Sequence, residues 1–222
     1  MRFTLSIFIA TTLLGNPVQS TAQTFFSVAT DLTLQHNFKK DQHYNSIGQT
    51  ISAQIHITHR EGVYVSFAYY TNGKFSNNLV AHAKQLSTSP QQISYVNQSK
   101  MRLKEFALGW KKYFIGTADT DHGFNIYGFA GFGLVLGRVI NTQSVNIDTS
   151  LYQVSVLIGQ ANFKRLTIDP GIGTDHYLGG DISMYGEVRA WIPTTDYPSR
   201  YIFENKNAPW VVMLNIGFRV IF

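Results

Sequence analysis

The 222-residue sequence contains no cysteine, which excludes a disulfide framework, a thiolate metal site and a cysteine nucleophile. Charge is scarce as well, at 14% of residues against roughly 25% in soluble domains. Long apolar runs are missing beyond Gly15: Lys, Arg, Asp, Glu or clustered glycines interrupt every window that could form a membrane helix. Yet 44% of residues are hydrophobic, with a mean hydropathy of −0.06, so the apolar residues are diluted rather than clustered. Low charge without long apolar runs suits a wall in which only every second residue meets lipid. The formal charge of +5, one less without Arg2, is too small and scattered for the basic stripe a nucleic acid requires. It is compatible with an anionic membrane surface.

The chain begins as an export signal would. Arg2 supplies a positive start, Thr4 to Gly15 is apolar, Asn16 and Pro17 break the stretch, and Ser20-Thr21-Ala22 offers small residues to a peptidase. Residues 1–22 are expected to be removed, leaving 23–222 as one domain. The apolar stretch is shorter than the about 20 residues that span a bilayer as a helix.

The remainder alternates with a period of two, which predicts strands. Ile47, Gln49, Ile51, Ala53, Ile55 and Ile57 share one face; Gly48, Thr50, Ser52, Gln54, His56 and Thr58 share the other. Phe106, Leu108 and Trp110 oppose Glu105, Gly109 and Lys111. The last run is the cleanest: Trp210, Val212, Leu214, Ile216, Phe218, Val220 and Phe222 are all apolar. Strands are expected near 24–35, 46–58, 62–71, 101–115, 123–137, 163–177, 181–193 and 209–222. Links after the first, third, fifth and seventh are long (36–45, 72–100, 138–162 and 194–208), and the intervening ones are short. This predicts an all-β, antiparallel, up-and-down transmembrane barrel of eight strands, with short periplasmic turns, long extracellular loops and both termini periplasmic. Residues 151–158, LYQVSVLI, could pair with 138–146 and raise the number to ten. A soluble barrel binding a ligand in an apolar cavity is the alternative, but its exterior would carry more charge.

Three stretches carry a resemblance: Tyr127-Gly128-Phe129-Ala130-Gly131-Phe132-Gly133-Leu134, Pro170-Gly171-Ile172-Gly173 and Tyr185-Gly186-Glu187-Val188-Arg189-Ala190-Trp191. With the signal and the terminal aromatic, they resemble the outer-membrane β-barrel domain family of small bacterial barrels. That resemblance implies an outer-membrane location and a last strand, Leu214, Ile216, Phe218, Val220 and Phe222, read by the barrel-assembly machinery. It implies no particular activity.

The register points Asp31, Glu105, Lys111, Asp169, Asp175, Glu187, Arg189 and Arg219 inward. An eight-stranded barrel has room only for side chains, and charges there must pair, so a salt-bridge network filling the lumen is expected. A polar pore or ligand site is the functional alternative. His36 with Asp31 or Ser46 could be assembled into a hydrolase or acyltransferase site, but nothing in the spacing singles them out. His36, His43 and His82 are expected in outer loops, His59 and His122 in turns, and His56 inward, with no metal spacing among them. No cofactor is expected. Lys74, Lys84, Lys100, Arg102 and Lys104 lie in or beside the second long loop, where lipopolysaccharide phosphates or acidic polymers are candidate partners, although a solvated loop explains them as well. Tyr69, Tyr113, Phe114, Trp191, Trp210 and Phe222 are expected as interfacial anchors. The expected protein is a monomer without enzymatic activity, working through its loops; an extracellular ligand is not specified by the sequence.

Overall fold

The computed structural model describes residues 25–38, 42–119, 123–194, 201 and 211–222. The signal segment, Trp210, His122 and parts of the first and last long links lie outside them. Ten strands are formed: β1 (Phe25–Asn37), β2 (Tyr44–Thr58), β3 (Glu61–Ala83), β4 (Gln92–Ile115), β5 (Phe124–Gln143), β6 (Tyr152–Gln153), β7 (Gly159–Ile168), β8 (Gly171–Gly179), β9 (Ile182–Pro193) and β10 (Val211–Ile221). Around the ring every pairing is antiparallel, from Ser27 opposite Ile221 at β1–β10 to Val211 opposite Trp191 at β10–β9, and β6 pairs with β3 off the ring. Phe26 and Phe222 exchange backbone hydrogen bonds of 3.2 and 2.8 Å at the seam, so the sheet closes without an edge.

The ring has eight walls, because β7 and β8 stack end to end as one. Both lie against β5, Phe132 opposite Ile168 and Phe129 opposite Gly171. Pro170 has no N–H for the ladder and interrupts it locally, while Asp169 N still bonds Gly131 O at 2.9 Å. The short turns match expectation: Thr58 Oγ1 accepts from the backbone of Arg60 and Glu61, and Gly179 and Gly180 turn β8 into β9 at positive φ.

The long-loop end differs from expectation. Most of 72–100 is not loop: β3 runs on to Ala83 and β4 begins at Gln92, so these strands reach 23 and 24 residues. The sequence hides this because the outward face turns polar there, at Ser76 and Asn78, while the inward face mixes Phe75, Leu79, Ala81 and Tyr95 with Asn77, Asn97 and Ser99. β5 likewise extends to Gln143. Residues 151–158 do not pair with 138–146. Only Tyr152–Gln153 forms a ladder, and it does so with His82 and Ala83 of β3. Ile147, Tyr152 and Val156 instead cap Leu79, Ala81 and Tyr95, giving this projecting head a small core of its own.

On the eight walls the apolar face points outward. Leu32, Ile47, Ile51, Leu108, Phe132 and Ile216 are each more than half exposed, forming the belt that lipid must cover. Among the described residues no helix is long and apolar enough to cross a membrane, and the barrel crosses with strands.

Candidate functional site

Parity along each strand decides which charges enter the barrel, and the structure buries all eight of those expected there. Asp31, Glu105, Lys111, Asp169, Asp175, Glu187, Arg189 and Arg219 are each at most 6% exposed. Direct ion pairs join most of them into a central group and an Arg219–Asp175 pair, and the Tyr127 hydroxyl bridges the two by accepting from Arg219 Nη2 at 3.3 Å and donating to Glu187.

The central group spans the lumen. Lys111 Nζ on β4 lies 3.0 Å from Glu187 Oε1 on β9, and Tyr127 donates its hydroxyl to the same oxygen at 2.9 Å. Arg189, two residues along β9, stands 3.6 Å from Glu187 Oε2 and 3.9 Å from Glu105 Oε2. Aromatic faces stabilise the cations: Lys111 Nζ sits 4.1 Å from the Tyr127 ring centre and the Arg189 guanidinium 4.9 Å from that of Phe129. Nearer the short turns, Arg219 pairs with Asp175, which also accepts from Asn125 at 2.6 Å and Tyr113 at 3.3 Å. Asp31 stands apart from the cations. Its carboxylate accepts from Thr33, Tyr185, Asn215 and the backbone of Thr50 at 2.7–3.1 Å. Asp169 and Glu105 converge with Thr167 on the space above Gly133, where any side chain would displace them.

Sequence reasoning missed two parts of this interior. Arg165 is buried at 3% exposure, and the same strand parity that placed Asp169 and Asp175 inside would have found it. Tyr113 and Trp191 were expected as membrane anchors, but they are buried inside the barrel at 2% and 3% exposure. Parity overrides residue type here: Tyr113 shares the inward face of Lys111, and Trp191 that of Arg189. Tyr69, Phe114 and Phe222 do face outward.

Among the described residues the histidines assemble no catalytic group. His36 lies on β1 rather than in a loop, its Nδ1 2.6 Å from Asn45 Oδ1 and its ring beside Phe38. Asp31 and Ser46 lie on the opposite face of the wall, where Ser46 donates to Gln35. His82 is on β3. His56 is fully buried, bonded to Ser27 Oγ at 2.9 Å and stacked on Phe25. Among the described residues no group of three His, Asp or Glu could hold a metal.

Side chains fill the lumen from end to end. Tyr64, Tyr113, Tyr127 and Phe129 close the short-turn end, and Tyr44, Tyr70, Trp191, Met101 and Met213 pack above the charges. Two small cavities among the described residues, one beside Lys111 and Arg189 and one beside Tyr44 and Trp191, measure about 10 and 20 Å³. Each has room for one water. On β10, Leu214, Ile216 and Phe218 are exposed on the lipid face and Val220 is half-buried there, and Phe222 just beyond the strand is also exposed.

No family model and no curated protein matches the sequence. Solved structures do. Neisserial surface protein A superposes with a TM-score of 0.53 at 14% identity, over 89% of this chain and 97% of that one. A major outer membrane protein from Thermus thermophilus gives 0.54 at 9%, over 90% and 99%. The attachment invasion locus protein of Yersinia pestis, solved with the heparin analogue sucrose octasulfate, gives 0.50 at 9%, also over 90% and 99%. The chain therefore has the fold of small outer-membrane β-barrels, the architecture that its sequence resemblance implies.

Proposed function

We propose that the protein is a monomeric outer-membrane barrel that works through the surface at its long-loop end, without catalysis and without conducting solutes. The observation that carries this reading is the contrast between its two compartments. Among the described residues the lumen is packed with buried charged side chains and aromatic layers, and the cavities found between them measure only about 10 and 20 Å³. The long-loop end is built up into a head with its own apolar core, which a mere connection between strands would not need. In this reading that head faces the cell exterior, both termini face the periplasm, and the exported chain loses residues 1–22. The outward residues of β10, ending at Phe222, present the assembly machinery with its signal; Phe222→Ser should slow insertion.

The absence of cysteine makes the topology directly testable. Ser87 sits exposed at the tip between β3 and β4. A Ser87→Cys variant should react with a membrane-impermeant maleimide on intact cells. Labelling only after the cells are broken would reverse the orientation. Planar-bilayer recordings of the purified full-length protein should match background; steady unit conductance would refute the sealed lumen.

A further inference from the structure

Among the described residues, the outward-facing cations at the upper border of the belt lie on one side of the barrel. β4 presents Lys100, Arg102 and Lys104; β3 adds Lys74, β5 Arg138 and β7 Lys164. The outward faces of β1, β2, β9 and β10 present no Lys or Arg among the described residues. Nor does any described acid point outward beside the cluster. Glu61, the outward acid of β3, sits at the short-turn end and is engaged with Lys112 at 2.6 Å.

The register concentrates this charge. Arg102 is directly opposite Arg138, and Lys74 directly opposite Lys100. Leu136 has Lys104 on one side and Lys164 on the other. Like charges facing each other across a ladder are destabilising, and uncompensated charge at the edge of a hydrocarbon layer more so. Arg138 donates to Gln160, whose neutral amide leaves the guanidinium charge uncompensated. A groove of about 620 Å³ runs among Arg102, Lys104, Arg138 and Lys164, with Phe67, Tyr69 and Leu136 beneath them.

An occupant of this groove needs anionic groups at the cations and hydrocarbon where the aromatic and leucine side chains continue into the belt. A soluble polyanion would leave those apolar side chains unused. We propose that this face of β3, β4, β5 and β7 binds the phosphorylated headgroup of lipopolysaccharide, its acyl chains running down the belt. Arg102 and Arg138 hold a phosphate between them, since guanidinium forks match phosphate oxygens, and Lys104 and Lys164 flank it. The site deepens the reading of the long-loop end as exterior, because that end must lie in the lipopolysaccharide leaflet.

The test is native mass spectrometry of the full-length protein in detergent, titrated with lipid A, with enzymatically dephosphorylated lipid A and with phosphatidylglycerol. The intact protein should retain lipid A at least about tenfold more tightly than either other lipid. The double variant Arg102→Gln/Arg138→Gln should lose that preference, while Lys112→Gln, at the other end of the barrel, keeps it. Heat-modifiable migration of each variant checks that it is folded. Equal retention of lipid A by the intact protein and the double variant would overturn the site. So would equal retention of phosphatidylglycerol and lipid A, which would indicate an unselective phosphate surface. Failure of the orientation reading registers separately, in the Ser87→Cys labelling, and leaves these affinities unchanged.

Discussion

Lys111 and Glu187 meet at 3.0 Å although they stand on β4 and β9, which are separated around the ring by β5 and the β7–β8 wall. The contact ties opposite sides of the barrel through its interior, and both side chains are less than a tenth exposed. A buried pair of this kind gains little over a well-packed apolar pair, but losing one partner strands the other. Glu187→Gln should therefore lower stability by about 3–5 kcal/mol, and Lys111→Met/Glu187→Leu should recover much of that loss. Urea unfolding of the detergent-folded protein checks both. Equal destabilisation by single and double variants would mean that the pair does not act as a unit.

Gly173 on β8 lies directly opposite Tyr127 on β5. A Cβ at Gly173 would come within 2.6 Å of the Tyr127 ring and 2.7 Å of Glu187 Cγ. Gly173→Ala should force the ring away from the Glu187 carboxylate it bonds, with an overpacking cost of about 1–3 kcal/mol. Adding Tyr127→Phe, which keeps the ring, should not relieve that cost, whereas Tyr127→Ala in the Gly173→Ala background should. The midpoint of thermal conversion between folded and unfolded gel bands reports it.

Much of this architecture was legible in the sequence, and what was not has identifiable physical causes. Period-two alternation is strong wherever one face meets lipid and the other meets packed polar groups, as along β2 and β10. It fades where the outward face turns polar, as at Ser76, Asn78 and Gln98, and the inward face mixes Asn77 and Asn97 with Phe75, Leu79 and Tyr95, which concealed the outer reaches of β3 and β4. Parity also says which wall face a residue occupies but not whom it meets across the lumen. It identified Lys111 and Glu187 as inward without showing that they touch. Asp31 illustrates the same limit, since its partners are Thr33, Tyr185 and Asn215 rather than the expected cations.

His59 and Asp119 join the two turns at the short-turn end at 2.6 Å, in contrast to the interior pairs, because both are exposed. Partial burial pushes the Asp119 carboxyl up, but hydrogen bonds from His59, its own backbone and Thr117 outweigh that and hold it below its ordinary value. A lowered carboxyl contributes stability above its unfolded value of about 3.9 and loses it as pH falls through the folded value. Between pH 7 and 5 this carboxylate should contribute no pH dependence. Solvent screening keeps the whole effect below about 1 kcal/mol, so Asp119→Asn should be nearly silent in urea unfolding at pH 7. A loss comparable to that of Glu187→Gln would mean that the turns are a structural clasp.

The border between belt and head can be located by charge substitution along neighbouring strands. Ile51 on β2 is 54% exposed, and its neighbours across the ladder are Thr30 and Phe67, near the middle of the belt. Asn78 on β3 also points outward, but it lies beyond Lys74, toward the head. Ile51→Arg should destabilise the lipid-inserted barrel by about 2–4 kcal/mol, the cost of arginine near the bilayer midplane, while Asn78→Arg should change it by less than about 0.5 kcal/mol. The comparison must be made in phospholipid vesicles, because a detergent micelle adapts around an added charge. If both variants are equally tolerated, the apolar belt is not where lipid contacts the wall. If both are equally damaging, the hydrocarbon layer extends past the cationic patch, and the Arg102–Arg138 groove lies too deep to meet a headgroup phosphate.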